Sequence, residues 1–283
     1  MKPTRIFGLA AACAASLTAT GASAQADPST ALQVWRLDCG VIQMNDASPL
    51  SDTGQYDGEA RRMEVSCYLI RHGSDYLLFD AGLETSLLGL ELNDKPQSYT
   101  LASSLVDQLA VIGLEPGDIG SVALSHYHFD HAGQLSSFPE AKLIIGAEDW
   151  AALQQPKPPL GAEPPLFEHW LKGGGEVQTI EGDLDIFGDG SVKMLSMPGH
   201  SPGSYSLLIR LANRGPILLS GDIVHLQEQW EEWNIPVWNA DRADSLASMD
   251  RMRKMAKNLG AEIIVGHDPK DLEKLATFPA PSD

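Results

Sequence analysis

Six consecutive positions, His126-Tyr127-His128-Phe129-Asp130-His131, carry three imidazoles and a carboxylate. Packing gives no reason for that density, because buried imidazoles either repel one another as cations or leave polar atoms unpaired. A divalent metal removes both problems, since a neutral imidazole and a carboxylate are ordinary ligands for one. In an extended stretch, alternation puts His126 and His128 on one side. Asp130 and His131 turn back at the start of a following helix, so two adjacent metal sites are geometrically natural.

Other histidines stand in similar settings. Pro198-Gly199-His200-Ser201-Pro202-Gly203, Ser220-Gly221-Asp222 and Gly266-His267 each follow a strand-like run, as does Phe79-Asp80-Ala81-Gly82. His72 lies in a hairpin turn and His169 in a Pro-rich stretch before Trp170, and both read as solvated or packing residues. His225, three residues past Asp222, is close enough to face the same site.

The elements that must position these groups are legible as strands and helices mixed throughout, with no dividing linker. Residues 34–37, 66–70, 75–79, 121–124, 142–145, 177–180, 192–196, 204–211, 217–219 and 262–265 read as strands from their apolar and β-branched content. Apolar spacing predicts helices over 101–112, 148–154 and 242–259, the last stopped by Gly260. Five prolines between Pro156 and Pro165 make that segment irregular.

The motifs, in this order, resemble the metallo-β-lactamase superfamily over nearly the whole chain after residue 24. The resemblance implies an α/β (α+β) fold, an αββα sandwich, over residues 25–283. It also implies a pair of divalent ions. His126, His128 and His200 would bind the first, Asp130, His131 and His267 the second, and Asp222 would bridge them. Asp80 would orient a metal-binding loop through hydrogen bonds. A nitrogen-rich set favours zinc, with manganese, iron and cobalt also compatible.

A carboxylate at Asp222 sets the chain apart from the β-lactamases of this fold. Only 16 residues follow His267, too few for the helical domain of a glyoxalase II-like thioesterase. Leu37-Asp38-Cys39-Gly40 and Ser66-Cys67-Tyr68-Leu69-Ile70 look most like the N-acyl homoserine lactonase branch. That likeness implies opening of a lactone ring (quorum quenching) by a hydroxide held between the two ions, with Asp130 handling the proton. In that branch a tyrosine three residues past the bridging aspartate contacts the substrate carbonyl, so His225 either substitutes for it or leaves that contact unmade. An organophosphate (phosphotriester) hydrolase of the same fold is the alternative, and a metal-sequestering protein without catalysis would show a missing ligand. Trp230, Trp233, Ile235, Pro236, Val237 and Trp238 either line a pocket for an acyl tail or pack the edge of the sandwich.

Composition narrows the partners. The 283 residues hold 38 Asp and Glu against 20 Lys and Arg, a formal charge of −18, which disfavours nucleic acid and acidic lipid. A small neutral lactone or ester is the expected substrate, with no membrane insertion and a homodimer as an open assembly state. Residues 1–24, with Lys2 and Arg5, an apolar run and Ala22-Ser23-Ala24, have the layout of a secretory signal. Cleavage there would remove two positive charges, taking −18 to −20, and would place the protein in the periplasm or outside the cell. Lipidation at Cys13 is the competing reading. Cys39 and Cys67 would then remain, either as one disulfide or as two apolar packing residues.

Overall fold

The computed structural model describes Met1 and residues 32–283, so the expected signal segment and Cys13 lie outside the described residues. Strands β1 (Leu32–Met44), β2 (Arg61–His72), β3 (Asp75–Phe79), β4 (Gln97–Thr100), β5 (Ile119–Ala123), β6 (Lys142–Gly146) and β7 (Val177–Ile180) form a seven-stranded sheet in the order β4-β1-β2-β3-β5-β6-β7. A second sheet holds β8 (Leu184–Asp185), β9 (Val192–Ser196), β10 (Tyr205–Leu211), β11 (Gly215–Leu219) and β12 (Glu262–Ile264) in the order β12-β11-β10-β9-β8. β3, β5, β6 and β7 are mutually parallel, as are β11 and β12.

Side chains alternate across each strand, and here both faces are buried, which is why the strands read as continuous apolar runs. In β3, Leu77 and Phe79 enter the core between the sheets while Leu78 faces the outer layer. In β10 and β11, Leu207, Ile209, Ile217 and Leu219 face inward, and Leu208 and Leu218 pack outward. The first sheet's outer face is covered by α1 (Leu105–Val111), α2 (Phe129–Ala132), α3 (Ala147–Leu153) and α4 (Glu168–Leu171). The second sheet is covered by α5 (Glu228–Glu232) and α6 (Arg242–Leu259). Three apolar layers around two sheets make the expected αββα sandwich.

Departures from the sequence reading have local causes. The helix expected from residue 101 starts at Leu105, because Leu101 is held in a bridge with Leu88 and Ser104 caps the helix by accepting from the Asp107 N–H at 3.0 Å. β4 carries no strong apolar signal and exists because β1 runs far beyond residues 34–37 to offer Val41–Met44 as a partner. α6 spans the expected 242–259, with Asp241 as its cap and Gly260 in the left-handed region at φ 63°. Of the two readings for the cysteines, the disulfide is present: Cys39 and Cys67 are bonded across β1 and β2, fully buried, with Cα atoms 5.8 Å apart.

Candidate metal centre

The site residues occupy the C-terminal ends of strands on one edge of the sandwich. Asp80 follows β3, His126 to His131 follow β5, His200 follows β9, Asp222 follows β11 and His267 follows β12. All seven side chains expected to bind metal converge there. His126, His128 and His200 form one cluster, and Asp130, His131, Asp222 and His267 form another. In each, the candidate ligand atoms lie within 4.8 Å of one another.

In the first cluster His200 Nε2 lies 3.1 Å from His126 Nε2 and 2.9 Å from His128 Nδ1. Asp222 stands between the clusters. Its Oδ1 is 3.2 Å from both His131 Nε2 and His267 Nε2. Its Oδ2 is 3.4 Å from His200 Nε2 and 3.8 Å from His126 Nε2. Asp130 Oδ2 is 3.6 Å from the Nε2 atoms of His131 and His267.

The far side of most rings is anchored, which selects the nitrogen that faces inward. Ser125 Oγ lies 2.9 Å from His126 Nδ1, Asp80 Oδ2 2.9 Å from His131 Nδ1, and Asn239 Oδ1 3.0 Å from His200 Nδ1. The Glu64 carbonyl accepts from His267 Nδ1 at 2.7 Å. Asp80 also accepts the Ser125 N–H at 2.7 Å while its own backbone holds φ 64°, so the aspartate expected to orient a ligand-bearing loop does touch that loop. With their Nδ1 atoms engaged, His126 and His200 turn Nε2 into the first cluster and His131 and His267 turn Nε2 into the second, while His128 presents Nδ1 to the first.

Burial holds His126 and His200 well below the ordinary imidazole value and pushes His128 down to about 4. Those rings therefore carry free lone pairs at neutral pH. At His131 and His267 burial also opposes the cation, but it is outweighed by Asp222, with Asp80 and Asp130 at the first and Asp130 at the second, and both are raised. Asp222 is driven well down by His131, His267, His225 and His126 against the cost of its burial.

The residues fit a metal on their own chemistry. His131 Nε2 and Asp222 Oδ1 are buried and, although 3.2 Å apart, are not aligned for a hydrogen bond with each other or with any other group, and such atoms are costly unless something satisfies them. Three imidazole nitrogens about 3 Å apart have no mutual hydrogen-bonding arrangement that uses every lone pair, whereas a cation uses them all.

His225 also faces the site. Its Nε2 is 3.1 Å from Asp222 Oδ2, and its backbone N–H is held by Gln229 Oε1 at 2.6 Å. His72 and His169 stay away, as read. His72 stacks on Phe187 and meets Asp189, while His169 packs against Trp170.

A cleft of about 350 Å³ opens over the clusters, with Ile42, Met63, Tyr99, Phe129, Leu160 and Trp238 among its walls. Of the six apolar residues at 230–238, Trp238 alone reaches it. Trp230 and Ile235 pack in the layer beneath α6, Pro236 is buried, and Trp233 lies under the Arg253 guanidinium. Instead β4, unread in the sequence, contributes Gln97 and Tyr99. The Pro-rich segment contributes Leu160 and Gly161, which rests on the His128 ring.

Comparison with known proteins agrees with this geometry. Residues 60–267 match the model of the metallo-beta-lactamase superfamily. The chain is 31% identical over 267 residues to N-acyl homoserine lactonase AttM of Azorhizobium caulinodans, covering 84% of this chain and 92% of that one. It is 28% identical over 232 residues to N-acyl homoserine lactonase AiiA of Bacillus thuringiensis subsp. kurstaki, with 78% and 88% covered. A crystal structure of a quorum-quenching N-acyl homoserine lactone lactonase superposes with a TM-score of 0.76 at 26% identity, over 89% of this chain and 99% of that one. The chain belongs to the metallo-β-lactamase superfamily. Within it the chain stands with the N-acyl homoserine lactonase branch, and it is a metal-dependent hydrolase.

Proposed function

We propose that this protein opens the lactone ring of N-acyl homoserine lactones with two bound divalent ions, zinc by preference. The observation that carries the reading is Asp222, whose two carboxylate oxygens each face a different ligand cluster beneath an apolar cleft of lactone size. His126, His128 and His200 would hold one ion, Asp130, His131 and His267 the other, and Asp222 both. Bound there, the ions would polarise a carbonyl and lower the pKa of a water.

The chain's own residues do the rest. Asp130, in the cleft floor, takes the proton of the attacking water. As the ring carbon–oxygen bond breaks, Asp130 returns that proton to the departing ring oxygen, so the product is an open hydroxy acid. His225, buried above Asp222 Oδ2, steadies the carbonyl oxygen as it gains charge. Ile42, Met63, Phe129 and Trp238 exclude water around an acyl tail.

We also propose that the protein is exported, because a buried structural disulfide such as Cys39–Cys67 is expected in an oxidising compartment. Cleavage after Ala24 would leave a chain starting at Gln25, which N-terminal mass analysis of the periplasmic fraction would show. A pH-indicator screen over lactones of varied chain length, β-lactams and phosphotriesters tests the activity. Long-chain acyl homoserine lactones should be hydrolysed fastest; a phosphotriester ranked above them would sink the proposal.

A further inference from the structure

We propose that Asp149 is a positioning residue that sets the spacing of the three-histidine cluster without touching any of its rings; the inference rests on the metal reading above. Asp149 lies in α3 and is 0% exposed. Its Oδ2 accepts the Tyr127 N–H at 3.1 Å and the Ser201 hydroxyl at 2.8 Å, and its Oδ1 accepts the Gly203 N–H at 2.7 Å. Tyr127 sits between His126 and His128, and Ser201 follows His200. One carboxyl group thus joins the two loops that supply all three imidazoles, across sequence separations of 22 and 52.

The joint has no slack. A Cβ on Gly203 would lie 2.6 Å from the Asp149 nitrogen and 2.8 Å from its Oδ1, and a Cβ on Gly146 would lie 2.2 Å from the Gly203 carbonyl oxygen. Contacts that short admit neither a water nor a longer side chain between the loops. A fully buried carboxyl that no ligand uses costs free energy, so its position is explained by what its donors hold in place. Asp80 plays a comparable part for the other cluster by reaching a ring directly; Asp149 acts through backbone and hydroxyl.

The test is a zinc titration of the full chain against a competing chelator, with far-UV circular dichroism as the check on folding. In Asp149→Asn the amide must point an N–H₂ at one of the donors. One zinc equivalent should bind about 10- to 100-fold more weakly, the usual effect of disturbing a ligand's support, while the other stays at wild-type affinity. Excess zinc should restore kcat with KM unchanged, which a loss of general stability would not produce. A folded Asp149→Asn chain that keeps both affinities overturns the proposal. If that variant does not fold, Ser201→Ala removes a single donor and leaves the carboxyl. A selective, several-fold weakening of one equivalent then supports the role, and unchanged binding overturns it. Wild-type protein that takes up no zinc fails before any substitution is made, and that result overturns the metal reading together with this one.

Discussion

The imidazoles of His225 and His267 lie face to face, 5.4 Å apart between ring centres and 12° from parallel. The stack straddles Asp222, with His225 Nε2 near Oδ2 and His267 Nε2 near Oδ1. It is pinned from behind by Gln227, whose backbone N–H donates to Asp268 and whose amide donates to Asp271. The residue after His267 therefore tethers the loop that carries His225.

His225→Ala separates catalysis from metal binding. If His225 steadies the carbonyl oxygen, kcat should fall about 10²-fold, the scale of a lost oxyanion donor, with metal content unchanged by elemental analysis. Loss of a metal ion in the variant would make His225 a ligand instead.

Asp222→Ala removes the group shared by both clusters. At least one metal equivalent should be lost, together with nearly all activity. Retention of both ions would defeat the bridging role.

Gly161 is the point where the Pro-rich segment rests on the site. A Cβ there would come 2.5 Å from His128 Cδ2, at a backbone φ of +80° that suits glycine. Gly161→Ala should push the segment and Leu160 outward and raise KM about tenfold, ~1.4 kcal/mol of binding. Steady-state kinetics with a long-chain lactone would show it, and an unchanged KM would remove this segment from substrate binding.

The Cys39–Cys67 bond closes a loop of sequence separation 28, for which chain entropy predicts roughly 3–4 kcal/mol of stability. Because both cysteines are fully buried, mild reductant should leave the native melting curve unchanged. Unfolding in reductant followed by refolding should lower Tm by several degrees. An immediate shift without unfolding would contradict the burial.

Asp149 also gives a pH signature. Burial pushes its carboxyl from 3.8 up to about 7, against its three donors. The folded chain thus holds a proton that the unfolded chain releases near pH 4. The associated stability is fully present below that pH and lost as pH rises toward 7, at ~1.4 kcal/mol per pH unit. Urea unfolding of wild type and Asp149→Asn should show the wild-type advantage shrinking between pH 4 and pH 7.5. An advantage that stays flat over this range would show that the carboxyl is ionised throughout.

Much of this protein was determined along the chain itself. His126 to His131 lie within six positions, so local geometry already forces their side chains together. The glycine-flanked His200, Asp222 and His267 each follow an apolar run long enough to be a buried strand. The helix at 242–259 carries its own cap and stop. Local spacing and propensity suffice for these because the interactions that fix them are short in sequence.

Tertiary structure alone decided the rest. β4 forms only because β1 overshoots to receive it, and Leu101 leaves its helix for a bridge to Leu88. Trp230 and Ile235, apolar and close to Asp222, went to the layer under α6, while Trp238 turned to the cleft. An apolar side chain specifies burial but not which of three cores receives it. The groups that hydrogen-bond the clustered histidines and their loops, Asp149, Asn239, Ser125 and the Glu64 carbonyl, are ordinary residues in sequence. They acquire meaning when strands far apart in the chain end at the same edge, because a hydrogen bond is decided by distance in space.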